Sequence, residues 1–325
     1  MDDEADDAYW AGEPLPTLDF LVSAAESGLA GWVLDHVGRT QRRLALRDDL
    51  SFWLETAAKD PEFAAGFAAH APVRLDLPAE AYRNRWLALR SGAHVLVGPR
   101  YLGRDPDLPF VGISASERLL TADDVDDLIA LARSRFAPFA PEFLLLNSAW
   151  PITAWPGCRS ERRTVVGTCG ALRRQPVSSR LRTRKQPSDA SYDGYRAIYD
   201  RDQAADPIRR RWARTEDRED FVRLGAAGTL FDVLVDGQWA GIVAAKEGSN
   251  GALSGAVVQE LTLDQRFRGQ GLGHQLSGLL ARALPYDDDH LLIGTIHSDN
   301  VAAYRSALRA GRVDVGGEIL IPIPH

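Results

Sequence analysis

Apolar residues recur at helical spacing along the first 80 positions. Leu18, Leu21, Val22, Ala25 and Leu29 form one stripe, and Leu50, Trp53, Leu54, Ala57 and Ala58 form another. An Ala/Phe-rich helix follows Asp60-Pro61 and ends near Ala71-Pro72. The pattern then shortens into strand-like runs at His94-Val-Leu-Val97, Phe110-Val-Gly-Ile113 and Phe143-Leu-Leu-Leu146. Between the last two, Thr121-Ala-Asp-Asp124 has capping-box spacing, and Val125, Leu128, Ile129 and Ala132 supply a helix's apolar stripe. Residues 80 to 170 therefore read as a strand-helix-strand α/β unit.

The stretch from Asn147 to Pro187 is rich in Pro, Gly, Ser and Arg, with one strand candidate at Thr164-Val-Val-Gly-Thr168. Its composition places a linker near residues 170 to 178. Beyond it, Val177 to Lys185 alternates weakly. Pro187-Ser188-Asp189 opens a helix through Tyr199, and Thr215-Glu-Asp-Arg218 opens another that ends between Gly225 and Gly228. A hairpin follows: Leu230 to Val235, the turn Asp236-Gly237, and Gln238 to Ala245. Then come a strand from Gly255 to Leu263, a helix from about Leu272 to Leu284, a strand from Leu291 to Ile296, a helix from Asn300 to Ala310, and a strand from Glu318 to Ile323. The order β-α-α-β-β-β-α-β-α-β fits one mixed, mostly antiparallel α/β (α+β) sheet with helices on both faces.

A length of 325 residues exceeds what one core usually serves, so two domains are expected, 1–175 and 176–325, the first helical and then α/β. Apolar residues at 45% and charged residues at 26% exclude a disordered or low-complexity chain. No run approaches the length of a membrane-spanning helix. Met1 to Asp7 carries five acids where a secretion signal would carry basic and apolar residues, and a cytoplasmic protein is expected. Two cysteines, Cys158 and Cys169, are too few for a disulfide framework or a zinc site, so no metal is expected. The net charge of -7 argues against wholesale nucleic-acid binding, yet it hides a local reversal. Between Arg159 and Lys185 nine Arg/Lys stand against the single Glu161, a local net of +8.

Arg268-Gly-Gln-Gly-Leu-Gly273 lies between a long strand and the first turn of an amphipathic helix, where backbone N–H groups lack helical partners and the macrodipole is positive. Such a turn suits phosphate. Gly269, Gly271 and Gly273 carry no Cβ to hold a pyrophosphate away, and Arg268 can add a charged fork. A dinucleotide fingerprint would need its third glycine where His274 stands, and the Gly-Lys-Ser/Thr of a Walker loop is missing.

Leu261-Thr-Leu-Asp-Gln-Arg-Phe-Arg-Gly-Gln-Gly-Leu-Gly273 resembles the acetyl-CoA loop of the Gcn5-related N-acetyltransferase (GNAT) superfamily, Leu-x-Val followed by Gln/Arg-x-x-Gly-x-Gly/Ala. Arg268, Gly271 and Gly273 match it. Asn300-Val-Ala-Ala303 with Leu308, Ala310 and Gly311 resembles the family's second CoA element, and the element order from 178 to 325 is the family's order. The resemblance implies a GNAT sheet and acetyl-CoA as acyl donor. Backbone groups of Leu261 and Leu263, flanking Thr262, would pair with the pantetheine arm. The amides of Arg268, Gly269, Gln270, Gly271, Leu272 and Gly273 would hold the pyrophosphate, and Asn300 would bond the arm. The thioester would lie at a splay between Leu263 and the strand Leu291 to Ile296.

An alkylamine has a pKa of about 10, so acetyl transfer at neutral pH needs a base. Glu260 is the leading candidate, because strand alternation puts Glu260 and Thr262 opposite the Leu261 and Leu263 side chains; binding a substrate cation or pairing with an arginine are its other readings. His297, at the end of the neighbouring strand, ranks second, because an imidazole is a side chain suited to accept a proton at neutral pH; a solvated loop histidine is the alternative. In the family a tyrosine seven residues after the motif asparagine protonates the departing thiolate. That position here is Ala307, and Tyr304, on the same helical stripe as Asn300, is the substitute acid or a core residue.

The expected function is thus transfer of an acetyl group from acetyl-CoA to a small-molecule amine in a ternary complex, by a monomer or homodimer. Two alternatives stay open. Arg159 to Lys185 could be a footprint for tRNA in an aminoacyl-tRNA-dependent relative, although only Trp155 offers nearby stacking; or the protein is an acyl-CoA-binding module without catalysis. The N-terminal half reads either as a degenerate copy of the same fold, as in tandem members, or as a substrate-closing domain.

Overall fold

The computed structural model describes residues 9–71 and 75–324. The acidic run Met1–Asp7 and Pro72 of the expected helix stop lie outside them. Helices α1 (Leu18–Ser27), α2 (Gly31–His36), α3 (Arg39–Ser51) and α4 (Pro61–His70) come first. Asp60 caps α4 by accepting the Glu62 N–H, and Pro61 opens it, which is why the helix begins where the sequence places it. Strands β1 (Arg85–Ala88), β2 (His94–Tyr101) and β3 (Pro109–Ser116), helix α5 (Val125–Arg135) and strands β4 (Phe143–Ser148) and β5 (Arg159–Thr168) follow. Next are α6 (Cys169–Arg173), β6 (Leu181–Lys185), α7 (Tyr192–Ala205), α8 (Arg218–Ala226), β7 (Leu230–Val235), β8 (Gln238–Asn250) and β9 (Leu253–Leu263). The chain ends with α9 (Leu276–Ala283), β10 (Leu291–His297), α10 (Val301–Arg309) and β11 (Val313–Pro322). From β6 onward this is the order read from the sequence. Asp236 and Gly237, both at positive φ, make the hairpin turn between β7 and β8. Strand β1 was not foreseen, since Arg-Trp-Leu-Ala carries no alternation.

The chain forms two compact units. The first comprises residues 1–162, 250–253 and 315–325, and the second 163–249 and 254–314. These bounds differ from the 1–175 and 176–325 division, for two physical reasons. Gly317–Pro322 of β11 pair antiparallel with Ser148–Phe143 of β4, so the last strand completes the first unit's sheet. At the other junction the expected linker is partly helical: Cys169 and Gly170 donate to the carbonyls of His290 and Asp288, and Cys169 and Leu172 lie in the second unit's core.

In the first unit the strand order is β1-β2-β3-β4-β11, with β1-β2-β3 antiparallel and β3-β4 parallel through the α5 crossover. Tyr82, Leu96, Leu128, Phe136 and Leu144 are among its fully buried side chains. In the second unit the order is β5-β10-β9-β8-β7-β6, antiparallel from β6 to β8 and parallel between β9 and β10. One face buries Leu263, Leu276, Leu280 and Leu292 beneath α9, and the other buries Tyr195, Phe221 and Ile242 beneath α7 and α8. This is the mixed, mostly antiparallel architecture with helices on both faces. No helix among the described residues is long and apolar enough to cross a membrane.

Candidate active site

Strand β9 pairs with β10 at Ala256↔Leu292 and Val257↔Ile293, where the register ends, and then runs on to Leu263. Gly241 of β8 stands beside its far end at φ +149; a Cβ there would fall 2.1 Å from the Thr262 carbonyl, so this close approach requires glycine. Past Leu263, Asp264 caps a short 3-10 turn, Gln265–Phe267, and the chain enters the glycine turn. Gly269 and Gly271 adopt left-handed φ of +75 and +72, and a Cβ at either meets nothing within 4 Å. The N–H groups of Gly269, Gln270, Gly271 and Leu272 find no acceptor among the described residues. Leu272 is buried and anchors the turn, while Gly273–Gln275 form a 3-10 turn leading into α9. An open row of amides at a helix N-terminus is what a pyrophosphate needs.

Arg268 does not face this row. Its Nε donates to the Leu263 carbonyl at 2.7 Å and its Nη1 to Asp202 at 2.9 Å, so the guanidinium braces the strand end. The Leu263 carbonyl is thereby already engaged. Gln270 accepts from Arg180 at 3.1 Å and donates to the Arg266 carbonyl at 3.0 Å. Asn300 is the N-cap of α10, its Oδ1 accepting the Ala303 N–H at 3.3 Å.

Glu260 lies on the face opposite Leu261 and Leu263, as alternation predicts. It is 5% exposed. Tyr195 Oη donates to its Oε1 and Tyr199 Oη to its Oε2 at 2.7 Å; Tyr195 Oη accepts the Glu216 N–H at 2.8 Å. Burial pushes the Glu260 carboxyl up to about 8, against the two phenol hydrogen bonds that favour its ionised form. Burial and the neighbouring carboxylate raise both phenols well above the usual tyrosine range, so they stay protonated donors.

The other two candidates are held differently. His297 Nδ1 accepts the Asp299 N–H at 3.2 Å, and its ring stacks on Trp212 at 5.7 Å. Tyr304 Oη donates to Asp314 at 2.6 Å, and Asp314 accepts both Nε and Nη2 of Arg163 at 3.0 and 2.7 Å. Burial, with the hydrogen bond to Asp314, pushes the Tyr304 phenol up to about 12. Its hydroxyl is part of a Tyr–Asp–Arg cluster, which ties α10 to β5 and β11, and Ala307 beside it is buried.

No family model matches the chain, and no curated protein matches it. Among solved structures 82 chains match. An acetyltransferase of the GNAT family from Colwellia psychrerythraea is 11% identical with a TM-score of 0.45, covering 71% of this chain and 86% of that one. A GCN5-related N-acetyltransferase from Kribbella flavida is 16% identical with a TM-score of 0.41, covering 82% and 97%. A tandem GNAT protein from the clavulanic acid biosynthesis pathway is 14% identical with a TM-score of 0.42, covering 100% and 97%.

Within the second unit the sequence reading missed Tyr195, Tyr199 and Glu216. The signal was present: Tyr192, Tyr195 and Tyr199 recur at i, i+3 and i+7, an aromatic stripe on α7. What could not be read was that the stripe would meet Glu260, 65 residues further on from Tyr195.

Proposed function

We propose that the chain is a tandem member of the GNAT superfamily whose second unit transfers an acetyl group from acetyl-CoA to a primary amine of a small molecule, by direct attack in a ternary complex. The first unit is a degenerate copy of the same fold. The observation that carries this reading is the glycine turn with its four amides lacking acceptors, at the end of a strand that outruns its parallel partner and holds a buried carboxyl between two phenols. The turn fits the group: its glycines leave open space, and four of its amides lack an acceptor among the described residues just before α9.

Acetyl-CoA, when bound, supplies a thioester acyl group activated toward amines. The amides from Gly269 to Leu272 would receive its pyrophosphate, and backbone groups of Leu261 with the Asn300 side-chain N–H2 would receive its arm. Glu260 is the proton acceptor. The half-buried Tyr199 takes a proton from the amine on its hydroxyl oxygen as it passes its own to Glu260 Oε2, so the buried carboxylate gains one proton and the phenol is regenerated. A carboxyl titrating near 8 is a stronger base than an ordinary one and is well matched to neutral or mildly alkaline work. Thiolate leaves without a dedicated acid, since a thiol pKa of about 8.5 makes it a tolerable leaving group.

The observation that weighs against the aminoacyl-tRNA alternative is that four of the nine basic residues of the segment are paired with acids of the same chain. Arg163 pairs with Asp314, Arg173 with Asp288, Arg180 with Asp236 and Arg184 with Asp232. The deciding experiment measures coenzyme A binding by calorimetry and free-thiol release from acetyl-CoA across an amine panel. Binding with amine-dependent release is expected. Binding with no release from any amine would leave the binding-module reading, and no binding would overturn both.

A further inference from the structure

Helix α7 carries an acid where helix electrostatics disfavours one. Asp202 stands in its last turn, which holds no basic residue, so the carboxylate lies at the negative end of the macrodipole. The compensation comes from outside the helix. Arg268 Nη1 lies 2.9 and 2.8 Å from the two Asp202 oxygens while its Nε holds the Leu263 carbonyl at 2.7 Å, and Arg209 Nη1 lies 3.5 Å from the same carboxylate. The neighbouring residue makes the reverse pairing. Arg201 Nη2 donates to Asp264 at 2.7 Å, and Asp264, itself buried, also accepts the N–H and Nε of Arg266, each at 3.0 Å.

Consecutive residues of a helix point about 100° apart, so two pairings of opposite polarity fix α7 in rotation as well as in distance from the end of β9. That rotation is what the base requires. Tyr195, Tyr199 and Asp202 stand at i, i+4 and i+7, on the stripe that α7 turns toward β9. The two phenols grip Glu260 within the strand, and the acid grips Arg268 beyond its end. A turn of the helix that released Asp202 would draw the Tyr199 hydroxyl away from Glu260 Oε2. Both pairs are partly exposed and add little to global stability; what they supply is direction. The charged and titratable surroundings are few. Glu260 is faced by Tyr195 and Tyr199 and by Glu216 from the segment before α8, Tyr199 by Asp202 as well, and Glu216 in turn by Lys246 of β8.

We propose that Asp202 and Arg268, supported by Arg201 and Asp264, are positioning residues of the acyl transfer, a clasp that holds α7 at the rotation keeping the Tyr199 hydroxyl between the amine and Glu260. The inference rests on the function proposed above. Arg268, although it opens the glycine turn, thereby serves the base rather than the pyrophosphate.

The test is a double-mutant cycle between Arg268→Met and Tyr199→Phe in the full-length protein, read by carboxyl-carbon NMR of Glu260 without coenzyme A and by kcat for thiol release. Either substitution takes a phenol donor from the carboxylate, so each should move the Glu260 titration upward. The double variant should go no further than Tyr199→Phe alone. Arg268→Lys, which can still pair with Asp202, should titrate close to the parent. In Asp202→Ala, whose side chain bonds neither Glu260 nor the amides of the turn, kcat should fall about tenfold through misplacement of the phenol. Coenzyme A affinity and Tm should stay near the parent's, and the fall should vanish in the Tyr199→Phe background. The inference is overturned if Arg268→Met leaves the Glu260 titration in place, or if its shift adds in full to that of Tyr199→Phe, because the guanidinium then acts through its charge alone. Should Arg268→Met not fold, Asp202→Ala takes its place in the cycle, with full additivity again the overturning result. A parent that releases no thiol from any amine would sink the function proposed above, and the NMR cycle, which needs no turnover, would still decide the clasp.

Discussion

Each unit contains a strand, a crossover helix and a strand parallel to the first, β3-α5-β4 in one and β9-α9-β10 in the other, yet the two turns before the helices are built in opposite ways. In the first unit, Thr121 caps the helical segment and the Asp124 carboxylate, 3% exposed, accepts the Thr121 N–H at 2.9 Å and is gripped by Arg118 at 2.6 and 2.9 Å. The helix start therefore carries its own anion. In the second unit two left-handed glycines precede α9, and four amide N–H groups find no acceptor among the described residues. Shared topology alone does not leave amides open to an anion. A helix N-terminus without a capping side chain leaves them so.

The sharpest way to break this contrast is at Glu260, where the second unit's chemistry is placed. Glu260→Gln should reduce kcat/KM by roughly 10²–10⁴, the usual worth of a positioned base, leaving coenzyme A affinity unchanged. The parent's kcat/KM should rise through pH 8 as the carboxyl ionises, and the variant should lose that step. A change confined to KM for the amine would instead make Glu260 a substrate contact. Stability should respond with the opposite sign. Because the folded-state value is raised above the ordinary carboxyl value of 4.5, the group stabilises the fold most below that value and loses its contribution as pH rises through about 8. The fall in Tm between pH 5 and 9 should accordingly be smaller in Glu260→Gln.

Next in size is Gly271→Asp, which places a carboxylate beside the open amides. Coenzyme A binding should weaken by about 2–3 kcal/mol through like-charge repulsion and a left-handed non-glycine residue. Calorimetry reads this, and unchanged affinity would move the phosphate site elsewhere. The counterpart in the first unit is Asp124→Ala. It should lower stability by about 1–2 kcal/mol through the lost capping box and leave coenzyme A binding untouched, as denaturant unfolding and calorimetry would show together.

The smallest effect is expected at Tyr304. Since its hydroxyl is committed to Asp314, Tyr304→Phe should cost about 1 kcal/mol of stability and reduce turnover equally for poor and activated thioester leaving groups. A selective loss with the poor leaving group would restore Tyr304 as the general acid.

Local pattern was enough for much of this protein. The capping box at Thr121 and Asp124, the start of α4 at Asp60-Pro61, the Asp236-Gly237 hairpin, the glycine turn and the element order from β6 to β11 depend on residues within a few positions of each other, where dihedral preference and hydrogen-bond geometry act directly. Strand alternation likewise set Glu260 on the face away from Leu261 and Leu263. Tertiary structure alone decided the partners. It gave β11 to the first unit's sheet, because ladder pairing with β4 leaves no trace in either strand's own sequence. It seated Tyr195 and Tyr199 on Glu260, turned Arg268 toward Asp202 and Leu263, and tied Tyr304 to Asp314. It also left Arg85 between Trp10 and Phe136, with none of the described acids in an ion pair with it. Whether a buried charge finds a partner depends on which distant segments the fold brings together, and that is set by packing of the whole chain rather than by any window of it.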